Sequence, residues 1–118
     1  MSNFRCLILI ERDVDPDYRD EVSKVLVKAG CLYAMSWGRD CAEWDDSVDW
    51  AYILHYHPGP YPDDRSVLTT WHDGWTLEET LEYAKTVENH DIPAEDILIL
   101  DFSELKRETQ IRLMYDAT

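Results

Sequence analysis

The chain has 118 residues, 45% of them hydrophobic, which suffices for one packed core and is too apolar for a disordered segment. Its 25 acidic side chains against 11 basic ones give a net charge of −14, a sign that repels nucleic-acid backbones and anionic membranes and attracts basic protein surfaces. No apolar run approaches the roughly 20 residues of a bilayer span, and the opening Met1-Ser2-Asn3-Phe4-Arg5-Cys6 lacks the charge layout and cleavage site of a signal peptide.

These features lead to the expectation of a single cytosolic domain over residues 1–118. The plainest alternative for the charge is solubility alone. Three cysteines, an odd set with no C-x-x-C pair, encode neither a disulfide framework nor a zinc knuckle. Cys6 and Cys31 fall inside apolar segments and read as small core residues.

Phe4 to Ile10 (FRCLILI) is a nearly continuous apolar run, the pattern of a central strand buried on both faces. Asp15-Pro16 then supplies an N-cap and a first-turn proline for a helix with an apolar stripe of Tyr18, Val22, Val25, Leu26 and Ala29. Gly30 is placed to end it. A second strand is expected at Cys31 to Ser36. A second helix, capped by Asp40, would carry a stripe of Cys41, Trp44, Val48, Ala51 and Tyr52.

His57 to Pro62 (HPGPYP) reads as a loop, and Ser66 to Trp71 as a third strand. Thr76 and Glu79 form a capping box for a third helix with a core face of Leu77, Leu81, Ala84 and Val87. A turn follows at Asn89 to Asp96, then a buried strand at Ile97 to Phe102. In the tail, Lys106 to Gln110 reads as a polar turn. Ile111, Leu113 and Tyr115 alternate like an extra edge strand. The order β-α-β-α-β-α-β predicts an α/β, three-layer domain with a mainly parallel four-stranded sheet.

In such sheets ligands collect beyond the carboxyl ends of the strands. Those ends deliver Glu11, Arg12 and Asp13; Trp37, Gly38, Arg39 and Asp40; Trp71, His72, Asp73 and Trp75; and Asp101 and Ser103. The least ordinary stretch is WGRDCAEWDDSVDW (Trp37 to Trp50), where Asp40, Glu43, Asp45, Asp46 and Asp49 place five carboxylates within ten residues, among three tryptophans. Asp45 and Asp49 lie one helical turn apart and repel by a few tenths of a kcal/mol. A chain that carries this cost has a reason to keep an acidic face, although a solvated face with inward tryptophans would look the same. Trp44 shares the apolar stripe and reads as core, whereas Trp50 falls off it and reads as an interface residue.

Other chemistries are thinner. Cys41 at a helix N-terminus with His72 nearby suggests an activated thiol, yet Cys41 also fits the buried stripe and no oxyanion loop accompanies it. Glu11, Asp13, Asp40 and Asp101 offer oxygens for a hard cation if they converge. His55-x-His57 has no third ligand and reads as a solvated pair. His90 reads as a helix C-terminal residue. Phosphate-cradling glycine motifs are absent, so no nucleotide or other cofactor is expected.

The blocks Tyr33 to Ala51 (YAMSWGRDCAEWDDSVDWA) and Leu68 to Gly74 (LTTWHDG) resemble a family of small bacterial proteins of unknown function. The resemblance implies a bacterial origin and an α/β fold and carries no activity. In charge and architecture alone, the chain is also similar to acidic nuclease-inhibiting immunity proteins, which plug a basic site with an acidic helix bearing aromatics.

The expected function is therefore protein binding, as an inhibitor or immunity-type module facing a basic site on a toxin or enzyme. Asp40, Glu43, Asp45, Asp46, Asp49, Trp50, Trp71, His72, Asp73 and Trp75 would form its surface. The alternative is a small enzyme or ligand sensor built on Cys41, His72 and the nearby acids. A third option is a homodimer that pairs the tail strand across a two-fold axis.

Overall fold

The computed structural model describes residues 3–61, 67–86, 96–104 and 107–118. Pro62, Ser66, Val87, Lys106 and most of the turn expected from Asn89, including His90, lie outside the described residues. Eight elements follow in order: β1 (Phe4–Ile10), α1 (Pro16–Ala29), β2 (Cys31–Gly38), α2 (Cys41–Tyr56), β3 (Leu68–His72), α3 (Leu77–Thr86), β4 (Asp96–Phe102) and α4 (Glu108–Ala117). The strands form one parallel sheet in the order β3-β2-β1-β4. The α/β, mainly parallel reading holds.

Strand geometry sends alternate β1 side chains to opposite faces. Phe4, Cys6, Ile8 and Ile10 pack with Leu26 and Val27 of α1 and Trp44, Val48 and Ala51 of α2. Leu7 and Leu9 pack on the other face with Leu81 and Ala84 of α3 and Ile111 and Tyr115 of α4. Arg5 shares that second face and is fully buried. Its guanidinium donates to the Ala84 carbonyl at 2.7 Å, tying the central strand to α3.

Local signals explain most boundaries. Asp15 accepts from the Asp17 amide at 2.8 Å, Pro16 opens α1, and Gly30 ends it with φ of 108°. The Thr76–Glu79 box closes in both directions, at 2.9 and 3.1 Å. At Gly38 the backbone has φ of 100°, and a Cβ there would collide with the Ile10 carbonyl oxygen. Only glycine lets β2 leave the sheet this close to β1, with the Arg39 amide bonded to Ile10 O at 2.8 Å.

Several expectations fail. Ile97 to Phe102 is not a buried strand but lies half-buried in the edge strand β4, and Tyr18 and Val25 of the expected α1 stripe are exposed. The tail forms no edge strand but the helix α4, because Ile111 and Tyr115 stand four residues apart and are buried together against the second core, while Leu113 between them is 64% exposed. Asp40 precedes α2 but makes no side-chain cap. Its backbone is left-handed, with φ of 56°, instead of the extended form a capping side chain uses. Among the described residues no helix is long and apolar enough to cross a membrane.

Candidate functional site

Helix α2 presents three distinct edges. Its inward edge carries Cys41, Trp44, Val48 and Ala51 into the core, with Trp44 stacked on Phe102 of β4 at 5.2 Å between ring centroids. A second edge, Glu43, Asp46, Trp50 and Leu54, follows the three-to-four residue spacing of one helical stripe. With Arg19, Asp20, Lys24, Ser47 and Ala51 it lines a groove of about 390 Å³ between α1 and α2. Trp50 is 62% exposed on its wall. The groove floor is braced by a relay in which Ser23 Oγ donates to Ser47 Oγ at 2.9 Å and Ser47 Oγ donates to Asp20 Oδ1 at 2.7 Å.

The third edge faces β3. Thr69 donates its hydroxyl to Asp49 Oδ1 at 3.0 Å. Asp45, one turn back, is only 5% exposed, and its buried Oδ1 has no hydrogen-bond partner among the described residues. Asp45, Asp46 and Asp49 each bring a carboxylate oxygen to within 4.8 Å of the others. Burial pushes the Asp45 and Asp49 carboxyls above their ordinary value. Neighbouring aspartates push the same way, and the Thr69 hydroxyl pulls both back.

At the end of β3, Trp71 is 54% and Trp75 41% exposed, and Asp73 is exposed between them. His72, expected on the surface with them, is buried. Its ring lies 4.4 Å from Trp75 and 4.7 Å from Tyr83, and Nε2 sits 2.9 Å from Thr70 Oγ1. Burial holds its pKa below the ordinary value. Strand β3 runs one residue further than expected, so period-two alternation turns His72 inward.

The same end of the sheet bears on the chemistry expected of it. Cys41 is buried, and burial followed by the nearby Asp73 charge pushes its thiol up, away from the lowered value an activated nucleophile needs. The acids Glu11, Asp13, Asp40 and Asp101 are not gathered around one point. Arg107 bridges Glu11 and grips Asp101 through both oxygens at 3.1 Å, while Arg39 holds Asp13 at 2.9 Å. A cleft of about 590 Å³ remains there, lined by Glu11, Arg12, Asp13, Arg39, Ser103 and Glu104. His55 stays in α2, edge-on to Tyr56 at 4.6 Å, and His57 is the C-cap, so the two share no strand face.

Sequence reasoning missed Asp20, Lys24 and Leu54 as groove walls and Arg107 as a clamp. Leu54 had a readable signal, being four residues from Trp50 on the same stripe. Arg107 had none, since its partners come from the residue after β1 and from β4.

The family model described as "Domain of unknown function (DUF7684)" matches residues 1–118. Neither curated proteins nor solved structures yield a match.

Proposed function

The chain belongs to the DUF7684 family, and on that premise we propose that it is an acidic protein-binding module of the inhibitor or immunity type, blocking a basic site on a toxin or enzyme. The observation that supports this reading is the α1–α2 groove, where an exposed tryptophan stands beside Asp20, Glu43 and Asp46 on a chain of net charge −14. A partner arginine laid on the Trp50 face would gain a cation–π contact, and its guanidinium would meet carboxylates placed for charge-assisted hydrogen bonds. Tryptophan at the centre of a patch that becomes desolvated is the residue type that most often anchors an interface. Asp40, Asp73, Trp71 and Trp75 extend the surface along the sheet end, whereas Asp45 and His72 are too buried to touch a partner without rearrangement. The likeness to immunity proteins and the bacterial family belong to this reading. So does a reducing, cytosolic setting, which suits three buried, unpaired cysteines.

The test is affinity capture from lysate with the wild-type chain and with a Glu43→Gln/Asp46→Asn/Trp50→Ala variant, eluted by a salt gradient. A basic protein retained by the wild type, released by salt and lost with the variant is expected. Equal retention by both would overturn the reading.

A second reading rests on the strand-end cleft. It opens between β1 and β4, where successive strand connections switch direction, the position at which α/β sheets bind small ligands. There the chain would act as a ligand sensor, with Arg12 and Arg39 as the polar contacts. Thermal-shift screening of the Arg39→Ala variant beside the wild type checks this, since a specific ligand should stabilise only the latter.

A further inference from the structure

We propose that Asp45, Asp46 and Asp49 form a site for a hard divalent cation at the seam between α2 and β3, with the Thr69 hydroxyl steadying the inner wall. The proposal goes beyond the partner-binding reading and does not rest on it.

Geometry comes first. Oxygens that share one calcium ion at about 2.3–2.6 Å stand no more than about 5 Å apart, and the three carboxylates already place oxygens within 4.8 Å of one another. The site therefore needs little movement to close on an ion of that size. Positions i, i+1 and i+4 on a helix, with a strand behind them, give a half-shell of carboxylates. Asp46, on its exposed side, leaves the remaining coordination positions open to water.

An independent observation is the state of Asp45. Asp45 is only 5% exposed, and among the described residues Oδ1 has no hydrogen-bond donor. A buried carboxylate oxygen left without a partner costs free energy that a folded chain rarely leaves uncompensated. Among the described residues no lysine or arginine pairs with Asp45, Asp46 or Asp49; the ion pairs that form all involve other acids. Thr69 donates to Asp49, which orders one wall of the site but brings no positive charge. A bound cation would meet both needs at once, as ligand to a buried carboxylate with an unpaired oxygen and counter-charge to three clustered acids. Carboxylate and water oxygens select hard ions such as calcium, magnesium or manganese over the softer metals that favour nitrogen and sulfur.

Calorimetric titration of the full chain, stripped with chelator, with CaCl₂ and separately with MgCl₂ at physiological salt tests this. The variants are Asp45→Asn, Asp46→Asn and Asp49→Asn, with Glu43→Gln as the control, since Glu43 lines the groove and not this cluster. Circular dichroism establishes that each variant folds. The expected result is one ion per chain, weakened about tenfold or more in each aspartate variant and unchanged in Glu43→Gln. Preference for calcium or magnesium identifies the ion. Absence of saturable binding of either ion overturns the proposal. Unchanged affinity in the folded aspartate variants does so too, as does an equal loss in Glu43→Gln, which would mark a diffuse response to net charge. If Asp45→Asn fails to fold, the exposed Asp46→Asn decides. Asp45 and Asp49 do not line the groove, so a failed titration leaves the partner reading standing, and a failed capture leaves the cation site standing.

Discussion

Trp44 and Trp50 lie six positions apart on α2 and meet opposite surroundings, one stacked on Phe102 in the core and the other on the groove wall. Their substitutions should separate cleanly in denaturant unfolding. Trp44→Ala should cost about 3–5 kcal/mol through lost burial and the cavity left behind, and Trp50→Ala should stay within about 0.5 kcal/mol of the wild type. Helical spacing alone placed these two residues on their proper sides. The burial of Asp45 was not legible, because the strand that covers it brings Thr69 from twenty-four positions further along the chain. Nor was that of His72, since it lay one residue beyond the expected strand, and only the extension of β3 through His72 sets it on the face opposite Trp71. For His72 the folded state holds the pKa below the ordinary 6.5. The stability tied to its neutral form is therefore fully present above pH 6.5 and falls away as pH drops through that value towards the lower folded one. Comparing unfolding free energies at pH 7.5 and 5.5 should show a loss in the wild type that His72→Gln reduces.

Between elements, the junctions are where single residues have most leverage. Gly38→Ala should destabilise by about 1–3 kcal/mol, because it adds a methyl group at positive φ against the Ile10 carbonyl. Thr76→Ala should cost about 1 kcal/mol by opening the reciprocal cap of α3. Both are measured by thermal or denaturant unfolding. Strand β1 was readable because a strand buried on both faces needs an unbroken apolar run. β4 carries the same kind of run although it is an edge strand and only half-buried, and α1 was readable from its proline and glycine ends. The tail was not. Ile111, Leu113 and Tyr115 satisfy a two-residue spacing while Ile111 and Tyr115 alone satisfy a four-residue one, and only the second core, assembled from β1, β2 and α3, selects the helix.

For the molecule as a whole, charge is the property that reaches furthest. A net charge of −14 should make association with a basic partner fast at low ionic strength and progressively slower with added salt. Stopped-flow association rates at two salt concentrations measure this, and a salt-independent rate would point to a partner held by apolar contacts alone. Of the candidate surface, the acidic stripe was visible in composition. The groove was not, because it needs α1 beside α2, a relation set by the fold. The strand order has a different kind of consequence, one for synthesis. β1 is made first yet is flanked by β2 and β4, and roughly 60 residues must be translated between those two partners. At about 5–20 residues per second, a nascent chain would hold one side of its most apolar strand unpaired for several seconds. A chaperone that shields emerging segments would have its natural moment of action there, and release would coincide with the arrival of Asp96 to Phe102.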